Sequence, residues 1–94
     1  MSESNIVSRG IQKIIQNNID IDLSTPEGVQ NVCNWLYDNH TMCTNHQIAR
    51  VCDIRPVVLS LFRQSDINSD YVQKNWKHLS KKLNSQLNIA LQDG

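Results

Sequence analysis

TNHQIARVCDIRPVVLSLFRQ, residues 44–64, is the stretch on which the fold turns. Thr44 and Gln47 have the spacing of a capping box, in which each side chain meets the other's backbone N–H, so a helix starts just after Thr44. Ile48, Ala49, Val51 and Cys52 supply its apolar set. Pro56 disfavours helical geometry at Arg55 and is preorganised for a first helical turn, so one helix ends before 55 and another begins at 56. The second helix, 56–64, is almost wholly apolar: Val57, Val58, Leu59, Leu61 and Phe62. A helix apolar nearly all round belongs inside a protein. The pair therefore predicts the centre of a helical bundle.

The flanking sequence keeps helical spacing. A first helix is predicted over 6–18, with Val7, Ile11, Ile14 and Ile15 on one face and Asn5 as its cap. Gly10 weakens it by about 1 kcal/mol relative to alanine. Ile19, Ile21 and Leu23 then alternate with Asp20 and Asp22, a strand-like pattern with no second strand to pair with, so an extended loop is expected. Thr25-Pro26-Glu27 is a helix start, with cap, proline and acid in order. Val29, Val32, Cys33 and Leu36 form the buried face of this second helix, Trp35 and Tyr37 cover its flank, and Asn39-His40-Thr41 ends it. Ser65-Asp66-Ile67-Asn68 breaks the chain again. Ser69 caps a last helix over 70–91, whose seam is Val72, Trp76, Leu79, Leu83, Leu87 and Ala90. The expected fold is all-α: one domain, a compact bundle of five helices with its ordered core over 6–91.

Nine basic and nine acidic residues cancel in 94, so the chain as a whole has no pull toward nucleic acid or an anionic membrane. Its longest apolar runs fall far short of the roughly 20 residues of a membrane span. Residues 1–10 lack the apolar run of a secretory signal, and three cysteines is an odd number, so reduced thiols in a cytosolic or nuclear protein are expected.

Few motifs carry chemistry. His40, Cys43, His46 and Cys52 are metal-ligand types, but their spacing fits no standard finger, and the alternative is two loop histidines, a loop thiol and a core thiol. Cys43 beside His40 or His46 is the one local nucleophile–base pairing, with no signature around it. No enzyme activity, metal or cofactor is expected. Lys74, Lys77 and Lys81, with Lys82 and His78 alongside, give the last helix a basic stripe, either a solvated face, which the zero net charge favours, or a contact for an acidic partner or nucleic acid. The 44–64 pair also has helix-turn-helix spacing: Gln47-Ile48-Ala49 is followed by the turn at Asp53-Ile54. Two features oppose a DNA-reading role. The usual turn glycine is Asp53, and helix 56–64 offers only Ser60, Arg63 and Gln64 to a groove. A DNA-binding transcription regulator stands as the alternative function.

The order of elements resembles the N-terminal domain of the elongation factor TFIIS. The shared plan is a helix ending at Leu36, a Met42-Cys43-Thr44 start, an Ile48, Ile54, Val58, Leu61 series and a final Val72, Leu79, Leu83 helix. Its cousin, the integrase-binding domain of the lens epithelium-derived growth factor family, is resembled more closely. SRGIQKIIQNNIDIDL is similar to that domain's first helix and loop, VQNVCNWLYDN to its second helix, and DYVQKNWKHLSKKLNSQL to its fifth. The resemblance spans residues 6–87 and lies in apolar positions and loop lengths. It implies a non-catalytic nuclear docking module, expected to be a monomer, that holds disordered, phenylalanine-containing acidic motifs of transcription-elongation or chromatin proteins. In that domain the ligand lies between two interhelical loops, where an aspartate accepts its backbone hydrogen bonds. Carried over, the peptide-binding residues are Ile21, Asp22, Leu23 and Thr25 in the first loop, with Phe62, Arg63, Asp66 and Ile67 at the second. Lys74, Lys77 and Lys81 would meet acidic flanks. The chain departs from the pattern where Ser65 or Asp66 replaces a loop phenylalanine, and the first-loop acid aligns with either Asp22 or Thr25.

Overall fold

A computed structural model of the chain describes residues 3–38 and 43–93. Five helices follow in order: α1 (Glu3–Gln16), α2 (Pro26–Asp38), α3 (Asn45–Val51), α4 (Pro56–Gln64) and α5 (Asp70–Asp93). Among the described residues there is no strand, and 19–25 is an extended loop. The bundle has a radius of gyration of 11.9 Å, close to the roughly 12 Å of a folded chain of this length.

Each boundary has a local cause. The Thr44 side chain accepts from the Gln47 backbone N–H at 3.1 Å, and the Gln47 carboxamide accepts from Thr44 N–H at 2.9 Å, completing the capping box. Arg55 is extended, with φ −66° and ψ 137°, and Pro56 opens α4. Thr25 caps α2 through Oγ1 to Gly28 N–H at 3.0 Å. Two helices end on a left-handed residue. Asn18 (φ 59°) closes α1, with Asn18 N–H to Ile15 O and Ile19 N–H to Ile14 O; Asp53 (φ 53°) closes α3 by the same pair of bonds, to Arg50 O and Ala49 O. Both are Schellman motifs made without glycine. The expectation that Asn5 caps α1 is corrected: the helix begins two residues earlier, at Glu3, a good helix former. The Asn39-His40-Thr41 terminator lies outside the described residues.

α5 lies along α1 and α2, α1 also packs on α3, and α4 meets α2, α3 and α5. Val7, Ile11, Ile14, Val29, Val32, Cys33, Leu36, Ile48, Ala49, Cys52, Leu59, Phe62, Val72, Leu79, Leu83 and Ala90 fill the core. Cys43, expected as a loop thiol, is buried too, its Sγ 3.7 Å from the Ile6 carbonyl. Trp76 and Leu87 are only half-buried.

α4 differs most from expectation. Leu59 and Phe62 are closed to solvent, but Val58 and Leu61 are half-buried and Val57 is 54 % exposed. A nine-residue helix at the edge of a small bundle can turn only one side inward. Its inner side fills the core, and its other apolar side remains at the surface.

A polar clamp anchors the C-terminal end of α4 to its neighbours. Gln30 Nε2 donates to Phe62 O and Ser65 O at 2.9 and 2.8 Å, and Asn34 Nδ2 donates to Arg63 O. Arg63 Nε donates to Asn45 Oδ1 at 3.1 Å and an Arg63 terminal nitrogen donates to Asn34 Oδ1, while its guanidinium stacks 3.9 Å above the Tyr37 ring.

Candidate functional site

The two loops are built alike. Asp22-Leu23-Ser24-Thr25 and Asp66-Ile67-Asn68-Ser69 each read aspartate, apolar, small polar, cap. Asp22 Oδ1 accepts from Ser24 N–H at 2.9 Å and from the Ser24 hydroxyl, and Asp66 Oδ1 accepts from Asn68 N–H at 2.9 Å. These aspartate turns feed directly into the caps of α2 and α5, where Ser69 Oγ accepts from Val72 N–H. Between aspartate and cap, each loop tucks one half-buried apolar side chain, Leu23 or Ile67, against the core.

Both loops are fastened to one side of α5. The Leu23 carbonyl accepts from the Ser80 hydroxyl, and the Ile67 carbonyl accepts from Gln73 Nε2 at 2.7 Å. Gln73 and Ser80 are seven residues apart, hence on the same helix side and separated by about 10 Å of rise. Trp76 and Lys77 occupy the turn between them, with the ammonium 5.8 Å from the indole centroid. Gln30, near the N-terminal end of α2, also holds Ser65 at the start of the second loop. The two loops therefore meet the same side of α5 at two points, on either side of the turn that carries Trp76. Gly28 makes this possible: a Cβ there would lie 1.8 Å from the Asp22 carbonyl oxygen, so a larger residue would push the first loop outward.

Other expected residues lie elsewhere. Ile21 lies farther along α5, lining a groove of about 410 Å³ with Ile15, Ile19, Leu87 and Leu91. Thr25 spends its hydroxyl oxygen as the α2 cap. Phe62 is a core residue with no accessible surface, so its placement at the ligand face is corrected: α4 turns that ring inward. Arg63 is likewise engaged within the protein, between Asn34, Asn45 and Tyr37. Lys74, Lys77 and Lys81 are exposed along the outer side of α5. Trp76, Gln73, Ser80 and Gln30 were not among the expected site residues. The repeated aspartate–apolar–polar–cap pattern marks the two loops as alike, but no local signal marks these four partners on the helices.

The Asp22 carboxyl is held below the ordinary value of 3.8, chiefly by its bonds from the Ser24 hydroxyl and backbone N–H. Burial pushes the Cys52 thiol up to about 12 and raises Cys33 further, with Cys52 nearby adding to the latter. Cys52 and Cys43 are buried and His46 is exposed, while His40 lies outside the described residues. Among the described residues no three His, Cys, Asp or Glu side chains form a metal-holding group. His78 Nε2 donates to Cys52 O at 2.7 Å and also lies 3.2 Å from Asp53 O, closing the end of α3 from α5. No described helix is long and apolar enough to cross a membrane.

Comparison of the chain with protein-family models, curated proteins and solved structures finds no match in any of the three.

Proposed function

We propose that this domain is a non-catalytic docking module of the TFIIS N-terminal type. It holds short disordered motifs, an aromatic side chain flanked by acids, from transcription-elongation or chromatin proteins in the nucleus. The observation that carries this reading is the fastening of both loops to one side of α5, at Ser80 and Gln73, with Trp76 on the turn between them. An aromatic anchor inserts between Leu23 and Ile67 and stacks on the indole. Asp22 and Asp66 sit at the rim as acceptors for ligand backbone N–H groups. The acidic flanks run outward to Lys77, Lys74 and Lys81. A disordered ligand loses conformational entropy on binding, so affinity is moderate and rests on one or two anchors.

The test is amide NMR with the ¹⁵N-labelled domain and a synthetic peptide of one phenylalanine flanked by glutamates. The amides of Asp22, Leu23 and Ile67 and the Trp76 indole N–H should shift saturably. Replacing the phenylalanine by alanine should weaken binding about tenfold or more. If those signals stay in place, the loop site is wrong.

A further inference from the structure

We infer that a second docking surface lies on the opposite side of the lysine stripe, in the groove between α4 and α5, and that it takes an acidic segment through an apolar side chain. This inference stands apart from the loop site and survives its failure. The core uses only the Leu59–Phe62 side of α4. Val57, Val58 and Leu61 have no place in the core's interior, and their spacing puts them together along the outer side of the same helix. Across from Val58, Tyr71 is 46 % exposed. Val58, Tyr71, Lys74 and Asn75 line a groove of about 500 Å³, with Asp70 at one end. A surface valine facing a half-exposed aromatic ring, with further exposed apolar surface beside it at Val57, is the composition of a contact surface.

Charge selects the occupant. Lys74 is in the groove wall, and Lys77, Lys81 and Lys82 extend the same charge along α5, which carries no acid from 71 to 92. Arg55 is exposed at the N-terminus of α4, next to Val57. A second copy of this chain set face to face would bring these cations together, and like charges oppose such a contact. A nucleic acid would meet the cations but would set its phosphates against Val57, Val58 and Asp70. An acidic peptide with an aromatic or branched apolar residue satisfies both features: the side chain lies between Val58 and Tyr71, and the carboxylates meet Lys74 and its neighbours.

The experiment uses the full chain and the same glutamate-flanked phenylalanine peptide, read at different amides. Val58, Tyr71, Lys74 and Asn75 should shift saturably. Tyr71→Ala should weaken binding at those amides about tenfold while the Leu23 and Ile67 responses are retained, and Lys74→Glu should weaken the groove response as well. Both positions are exposed, and unchanged circular dichroism melts would verify that the variants fold. Replacing the peptide's glutamates by glutamine should weaken the same response. The inference is overturned if only the loop amides move. It is also overturned if oligouridylate RNA shifts the groove amides and the peptide does not, or if sedimentation shows the chain dimerising through this face.

Discussion

Single residues here do work that their types conceal. Asp53 stands where a turn glycine would be expected between α3 and α4, yet it adopts φ 53° and completes the Schellman motif. Its left-handed backbone is strained relative to glycine. Asp53→Gly should therefore raise stability by up to about 1 kcal/mol in urea denaturation, and Asp53→Val should lower it, because a β-branched residue tolerates that region worst. Asp22 offers a pH readout. Its folded carboxyl is held below 3.8 by the Ser24 hydroxyl and N–H, so its contribution to the loop is present above the unfolded value and is lost as pH falls through the lower folded one. In carboxyl-carbon NMR the Asp22 midpoint should lie below 3.8, and Ser24→Ala should move it back toward that value. An unmoved midpoint in the variant would show that the hydroxyl is not the cause.

At the scale of elements, α4 divides into two sides with different energetic weight. Phe62→Ala and Leu59→Ala each empty core volume and should cost about 2–5 kcal/mol, whereas Val57→Ser at a 54 % exposed position should stay within about 0.5 kcal/mol. Chemical denaturation of the three variants tests the division, and a comparable loss for Val57→Ser would place that residue in the core. The same helix shows what the sequence discloses. The Thr44–Gln47 capping box and the Pro56 start were legible because caps and prolines act within a few residues of themselves. Which side of α4 faces inward was not legible, because its five apolar residues cover more of the helix than the core takes, and the packing of α2, α3 and α5 decides which of them are enclosed. The α1 start was misplaced because a residue of good cap type need not be used as a cap: the helix runs through Asn5 to Glu3. For the candidate site, the loop boundaries and the half-buried Leu23 and Ile67 could be read from local pattern. The fastening of Leu23 to Ser80 joins residues 57 apart in the chain, and no local rule predicts it. The same holds for the separation of Ile21 from that cluster, and for Arg63, whose partners Asn34 and Asn45 come from two other helices.

For the whole molecule, the zero net charge conceals a polarity. Residues 14–49 carry four acids and no lysine or arginine, while residues 71–92 carry four lysines and no acid. The acidic peptide proposed above should therefore bind with a strong salt dependence although the chain is neutral overall. The core that supports this surface draws on all five helices, and its thiols report on how it opens. Cys33 and Cys52 are closed to solvent, in α2 and at the end of α3, and burial holds both as unreactive thiols, Cys52 up to about 12. Neither can be alkylated without separating the helices around it. If the bundle opens as one unit, the alkylation rates of Cys33 and Cys52, read peptide by peptide by mass spectrometry, should rise together with urea. Both should follow the slope of the global unfolding transition. A Cys52 rate independent of urea would instead mean that α3 detaches locally. The α3–α4 pair that decides the fold would then be its least stable part, and the Cys52–His78 hydrogen bond would be the contact that breaks first.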